Sequence, residues 1–183
     1  MHTLTQALAP PQTEPDPAAD TSFPALYDRY AVRVYRYLFY RVGNPKEAED
    51  LTAQVFLEVL QGLPGYTPRA PFAAWLFTIA RRRVVDHYRR LRPTQSLEGQ
   101  AERLPSEEDV LAQVIQAENL ERLAGHFARL SAAEQELLRL RFSAELSFAE
   151  LAALLGQRED AVKKSLYRLL ARLERQMEVE DHA

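Results

Sequence analysis

The chain has 183 residues, 46% of them apolar, enough for one large or two small domains with real cores. It has no cysteine, which excludes disulfides, cysteine zinc sites and thiol nucleophiles and fits a reducing interior. The net charge of -3 offers no global attraction for nucleic acid, and no run approaches the roughly 20 apolar residues of a membrane span, so a cytoplasmic protein without membrane insertion is expected.

Residues 1–20 carry Pro10, Pro11, Pro15 and Pro17 and no basic start followed by an apolar run, which predicts a disordered tail rather than a signal peptide. A first helix is expected from about Pro24 to Val42, with Leu26, Tyr30, Val34, Tyr37 and Leu38 at helical spacing and Gly43-Asn44-Pro45 ending it. A second begins near Pro45 and runs to about Leu60. Gly62 to Pro68 holds two Gly and two Pro in seven residues and cannot sustain a helix. Pro71 suits the first turn of a third helix, which buries Phe72, Trp75, Leu76, Ile79 and Ala80 and ends by about Pro93. Residues 93–109, broken by Pro93, Gly99 and Pro105, form an acidic linker, and three or four helices follow between about Val110 and Met177. No convincing strand is found. The expected fold is all-α: two small helical domains, residues 21–92 and 110–183, joined by a flexible linker.

The last third of the chain has the most legible pattern. Ser147 can accept from the backbone N–H of Glu150 while the Glu150 side chain reaches back, a capping box; Ser131-Ala132-Ala133-Glu134 is a second. Leu151, Leu154 and Leu155 line one face, Gly156 can take the positive φ of a sharp helix exit, and Val162, Leu166, Leu169 and Leu173 bury one stripe of the next helix. Lys163, Lys164, Tyr167 and Arg168 fall on its outward side, where cations and an aromatic can meet phosphates and base edges in a major groove. This is a helix-turn-helix pattern, with DNA as the first partner to consider. The two lysines could equally solvate an amphipathic helix.

Charge is segregated along the chain. From Arg69 to Arg92 there are seven arginines against one acid, Asp86, whereas from Glu102 to Glu121 there are six acids. A phosphate backbone responds to such a local field within a Debye length of roughly 8 to 10 Å. No catalytic constellation accompanies it: His2, His87, His126 and His182 are isolated, and neither a Gly-rich phosphate loop nor metal-ligand spacing is present. Catalysis, metal, cofactor and small-molecule substrate are therefore not expected; the function should be binding.

Two helical modules of this kind, in this order, resemble the sigma-70 family of bacterial transcription initiation factors, specifically its two-domain extracytoplasmic function (ECF) group. The resemblance is carried by Ala48-Glu49-Asp50-Leu51-Thr52-Ala53-Gln54-Val55-Phe56-Leu57, by Phe72-Ala73-Ala74-Trp75-Leu76-Phe77-Thr78-Ile79-Ala80-Arg81 with Asp86 and Arg89-Arg90, and in the second module by Leu130-Ser131, Leu137 to Phe142, Leu146 to Ala152, Val162-Lys163 and Arg168. It implies a region 2-like domain followed by a region 4-like helix-turn-helix domain. It further implies that the second helix docks on core RNA polymerase through Asp50, Leu51, Gln54, Phe56, Leu57 and Glu58. Asp50, Gln54, Leu57 and Glu58 fall at i, i+4, i+7 and i+8, one mixed stripe suited to a partner helix, while Leu51, Val55 and Val59 turn to the core.

By the same resemblance the arginine helix captures the opened strand of the -10 element through Arg81, Arg82, Arg83, Asp86, Arg89 and Arg90, with Tyr66 beside the pocket for a flipped base. Arg82 to Asp86 and Asp86 to Arg90 could instead be plain i,i+4 ion pairs. The -35 duplex would be read by Arg158, Lys163, Lys164, Tyr167 and Arg168. Departures from the family pattern, Arg82 where Asn is usual and Gln157 to Ala161 in the turn, imply an unusual promoter preference. An anti-sigma factor is the implied regulator. Alternatives are a helix-turn-helix regulator acting on duplex DNA without polymerase, a pure interaction protein and, last, a helical enzyme.

Overall fold

A computed structural model describes residues 22–67, 69–91 and 124–181, with side chains as far as Met177. The tail at 1–20, the linker at 93–109 and the helix expected to begin near Val110 lie outside the described residues. Every element among those described is helical.

Helix α1 (Phe23–Val42) starts after extended Ser22, has Pro24 in its first turn and ends at Gly43, whose φ of 72° lets its N–H reach the Phe39 carbonyl. Such a left-handed exit is nearly free for Gly and costly for other residues. Asn44 then caps α2 (Pro45–Gly62), its side chain accepting from the Glu47 N–H at 3.1 Å. A single 3-10 turn (Leu63–Gly65) leads through the loop to α3 (Phe72–Leu91). The facing stripes of these three helices enclose Val34, Tyr37 and Leu38, Val55 and Val59, and Leu76, Phe77, Ala80 and Val84 completely. The Tyr37 and Phe77 rings meet edge to face, centroids 5.6 Å apart.

The second half contains a helical stretch at 124–128, α4 (Ala132–Leu138), a π-helical turn (Arg139–Ser143), α5 (Phe148–Leu155) and α6 (Glu159–Asp181). Both expected capping boxes form, Ser131 with Glu134 and Ser147 with Glu150. Gly156 takes a φ of 64° and its N–H returns to Ala152. Val162, Leu166, Leu169 and Leu173 of α6 are buried against Leu140, Leu146 and Leu151.

The halves do not stand apart. One continuous set of buried side chains runs through both, with α1 against the π-turn and α3 against α5. The join is made by Arg33 of α1, which is 7% exposed. Its Nε donates to the Ala144 carbonyl at 2.8 Å and its Nη2 to the Glu145 carbonyl at 2.9 Å, with the Glu150 carboxylate 3.9 Å away and the Tyr30 ring beneath. The carbonyls leaving a helix end have no partner inside it, so an incoming guanidinium satisfies them. Glu145, the one non-glycine with positive φ among the described residues (54°), lies at this seam and pairs with Arg36 at 2.6 Å.

Arg33→Met should cost about 2 to 3 kcal/mol in urea unfolding, because it strands buried carbonyls. Arg36→Met, which breaks an ion pair about 40% exposed on each side, should cost under about 1 kcal/mol. Equal costs would mean that the buried guanidinium does not hold the seam.

Candidate nucleic-acid and polymerase interfaces

The helix-turn-helix presents one open basic face. With Val162, Leu166 and Leu169 turned inward, Lys164, Tyr167 and Arg168 are exposed, and Arg158 is exposed on the turn before them. Lys163 is more constrained: its Nζ lies 2.7 Å from Glu159 and 5.5 Å from the centroid of the Phe148 ring. The Glu159 hydrogen bond holds its ammonium above the ordinary lysine range. Glu159 therefore does more than favour the helix dipole, and a phosphate reaching Lys163 must compete with it.

Helix α3 brings its arginines to carboxylates from elsewhere. Arg82 and Arg83 both close on Glu58 of α2; Arg82 binds Oε1, and Arg83 binds Oε2 through Nε at 3.0 Å and Nη2 at 2.7 Å. Arg81 turns to Glu136 of α4 at 3.0 Å. The alternative Arg82–Asp86 pair does not form; Glu58 takes that guanidinium. Asp86 instead sits 3.8 Å from Arg89, and its backbone carbonyl accepts from Arg90 at 3.3 Å. Arg89 and Arg90 are exposed.

Tyr66 lies half-buried beside α3, its hydroxyl donating to the Ala70 carbonyl at 3.1 Å and its ring 5.5 Å from Phe72 and 4.8 Å from Trp75. Trp75, expected in the core, is only partly buried. Its ring end packs over Gly62, where an added Cβ would come within 3.0 Å, so it forms the floor of this aromatic corner.

On α2, Asp50 and Leu57 are exposed, Leu57 by 56%, and Gln54 is half-buried between them. Leu51 and Phe56 are corrected. Each is 3% exposed, since Leu51, Val55, Phe56 and Val59 form the stripe that packs inward, so neither offers a surface to a partner. Glu58 lies on the outer stripe by spacing, but its carboxylate is bent towards α3.

Sequence reasoning missed Glu136. Its Oε1 accepts from the Tyr37 hydroxyl at 2.8 Å and from Arg81, while Arg41 stands 3.3 Å from Oε2. Burial first, then the Glu136 charge, pushes the Tyr37 phenol far above its ordinary range, so it remains a donor. Beside this hub a cleft of about 950 Å³ opens between α3 and α6, with Arg81, Arg168, Arg172 and Arg175 in its wall. The Tyr37–Glu136 contact joins residues 99 positions apart, beyond any local pattern.

The fold and its basic faces define an all-helical helix-turn-helix protein with a second, arginine-bearing module. Residues 26–94 match the family model for sigma-70 region 2. The ECF RNA polymerase sigma factor BldN of Streptomyces coelicolor is 40% identical over 162 residues, covering 84% of this chain and 60% of BldN. The ECF RNA polymerase sigma factor SigL of Mycobacterium tuberculosis is 32% identical over 147 residues, covering 78% of this chain and 81% of SigL. The chain belongs to the ECF RNA polymerase sigma factor family. Its fold is also similar to the sigma factor RpoE from Bartonella quintana, solved in complex with the anti-sigma factor NepR, at a TM-score of 0.63 and 20% identity over 86% of this chain and 97% of that one. Among the described residues no group of His, Asp and Glu could hold a metal ion, and no helix is long and apolar enough to cross a membrane.

Glu134 ties α6 to α4, since besides Ser131 it binds Arg172 of α6 at 2.6 Å. The Ser131 hydroxyl and N–H, then Arg172, hold its carboxyl below the ordinary range. A depressed folded value stabilises fully above the unfolded value and is lost as pH falls through the folded one. Glu134→Gln should therefore lower the urea midpoint at pH 7 and narrow the gap to wild type as the medium is acidified; a gap independent of pH would remove Glu134 from this role.

Proposed function

We propose that this chain is a transcription initiation factor that joins core RNA polymerase and directs it to promoters, by binding and without catalysing a reaction, in the cytoplasm. Its docking surface is the α2 stripe of Asp50, Gln54 and Leu57. The opened -10 strand is taken by α3 and the corner around Tyr66, with exposed Arg89 and Arg90 as first contacts and Arg81, Arg82 and Arg83 beyond them. The -35 duplex meets Arg158, Lys163, Lys164, Tyr167 and Arg168. Control comes from an anti-sigma factor, as in the complex of the RpoE relative.

The observation that carries this proposal is the outward face of α6, basic and open, on a helix-turn-helix set by a capping box and a left-handed Gly156. Elements centred near -10 and -35 lie about 25 base pairs apart, roughly 85 Å at about 3.4 Å per base pair. Modules that touch through Arg33 and Glu136 cannot span that length, so this arrangement is the unbound one and the halves part on the promoter.

Run-off transcription with core polymerase on genomic fragments tests the proposal: transcripts should start only when the chain is added. Protection of duplex DNA by the chain alone, without transcripts, would instead mark a helix-turn-helix regulator. Replacing Lys163 and Lys164 together with Ala should weaken promoter binding and flatten its salt dependence by up to about 0.9 in log-log slope per lost phosphate contact. An unchanged slope would make them solvating residues.

A further inference from the structure

We propose that Glu58 is a positioning residue for strand capture, which fixes Arg82 and Arg83 in one orientation and withholds their charge from DNA of the wrong sequence. The inference rests on the proposed function above and assigns Glu58 away from polymerase docking. Its spacing puts it with Asp50, Gln54 and Leu57, yet its side chain is only 21% exposed and both carboxylate oxygens are occupied by α3. A partner helix laid along this stripe meets Leu57, not the Glu58 carboxylate.

The energetics suit an exchangeable hold. Arg82 is 59% exposed and Arg83 30%, so the hold restrains both guanidiniums while leaving them open to competing anions. A phosphate offers the same charge as the carboxylate it replaces, so a strand that brings only phosphates gains nothing from the exchange. A promoter strand needs no exchange, because its bases seat in the aromatic corner of Tyr66 and Trp75 against guanidiniums that Glu58 already holds in place. Glu58 thus keeps its two guanidiniums from a strand that offers phosphates alone while orienting them for the favoured one, which is selectivity by opposing the competitor. Arg81 is restrained in parallel by Glu136, so three consecutive guanidiniums are committed before DNA arrives.

The test uses holoenzyme assembled from the full chain and core polymerase, a labelled single strand from a promoter identified by run-off, and a scrambled strand of equal length. Glu58→Gln should bind the scrambled strand about threefold tighter or more. Its salt dependence should steepen by about 0.7 in log-log slope per guanidinium released. The promoter-to-scrambled ratio should fall and core polymerase affinity should not change. Glu58→Asp should recover part of the ratio, and Arg82→Gln in the Glu58→Gln background should return scrambled binding towards wild type. Arg82→Gln alone should weaken the promoter strand while sparing the scrambled one, a measurement that stands even if Glu58→Gln folds poorly. Weaker polymerase binding with an unchanged strand ratio would make Glu58 a docking contact and overturn the proposal; so would two unchanged strand affinities. A chain that never assembles with polymerase would instead defeat the proposed function itself.

Discussion

A guanidinium can be taken out of water only where its donors find acceptors, and in this chain that requirement sets the relation of one half to the other. Arg33 leaves α1 over the Tyr30 ring and ends on two carbonyls that the π-turn has released. Its position fixes α1 against the seam at Glu145, which in turn sets where Ser147 begins α5 and where α6 then points. The strained backbone at Glu145 persists because Arg33 binds its carbonyl and Arg36 its carboxylate.

The same matching of charge explains how an acidic protein carries an arginine-rich helix. Part of the negative charge lies beside the arginines of α3. Glu58 takes two guanidiniums and Glu136 takes Arg81 and Arg41. The surface of α3 therefore carries cations that are already partnered. Helix α6 differs: Lys164 and Arg168 are exposed, and Lys163 is shared with the Glu159 carboxylate.

What could be read from the sequence was local. The capping boxes at Ser131 and Ser147, the helix stop at Gly43, the positive φ of Gly156 and the buried stripes of α1, α3 and α6 depend on neighbours within one or two turns, so a linear pattern reports them. The family resemblance and the arginine segregation were equally visible. Leu51 and Phe56 show where a stretch of matching residues does not separate inner from outer faces: adjacent positions in a helix differ by about 100°, and only the phase of the stripe decides. Trp75 was placed too deep because periodicity cannot foresee a Gly62 that leaves room for half a ring. Glu58 with Arg82, and Glu136 with Tyr37, Arg41 and Arg81, needed the tertiary arrangement; i,i+4 spacing pointed to Asp86 instead.

The seam between the halves also bears on recombination. Three acids on one side, Glu136, Glu145 and Glu150, face Arg33, Arg36, Arg41 and Arg81 on the other, so each half is matched to its mate. A chimera that grafts a foreign carboxy-terminal half onto this amino-terminal one would keep each local helix yet leave Arg36, Arg41 and Arg81 without their carboxylates. Exchanging promoter preferences by module shuffling would thus require the seam residues to travel with the graft.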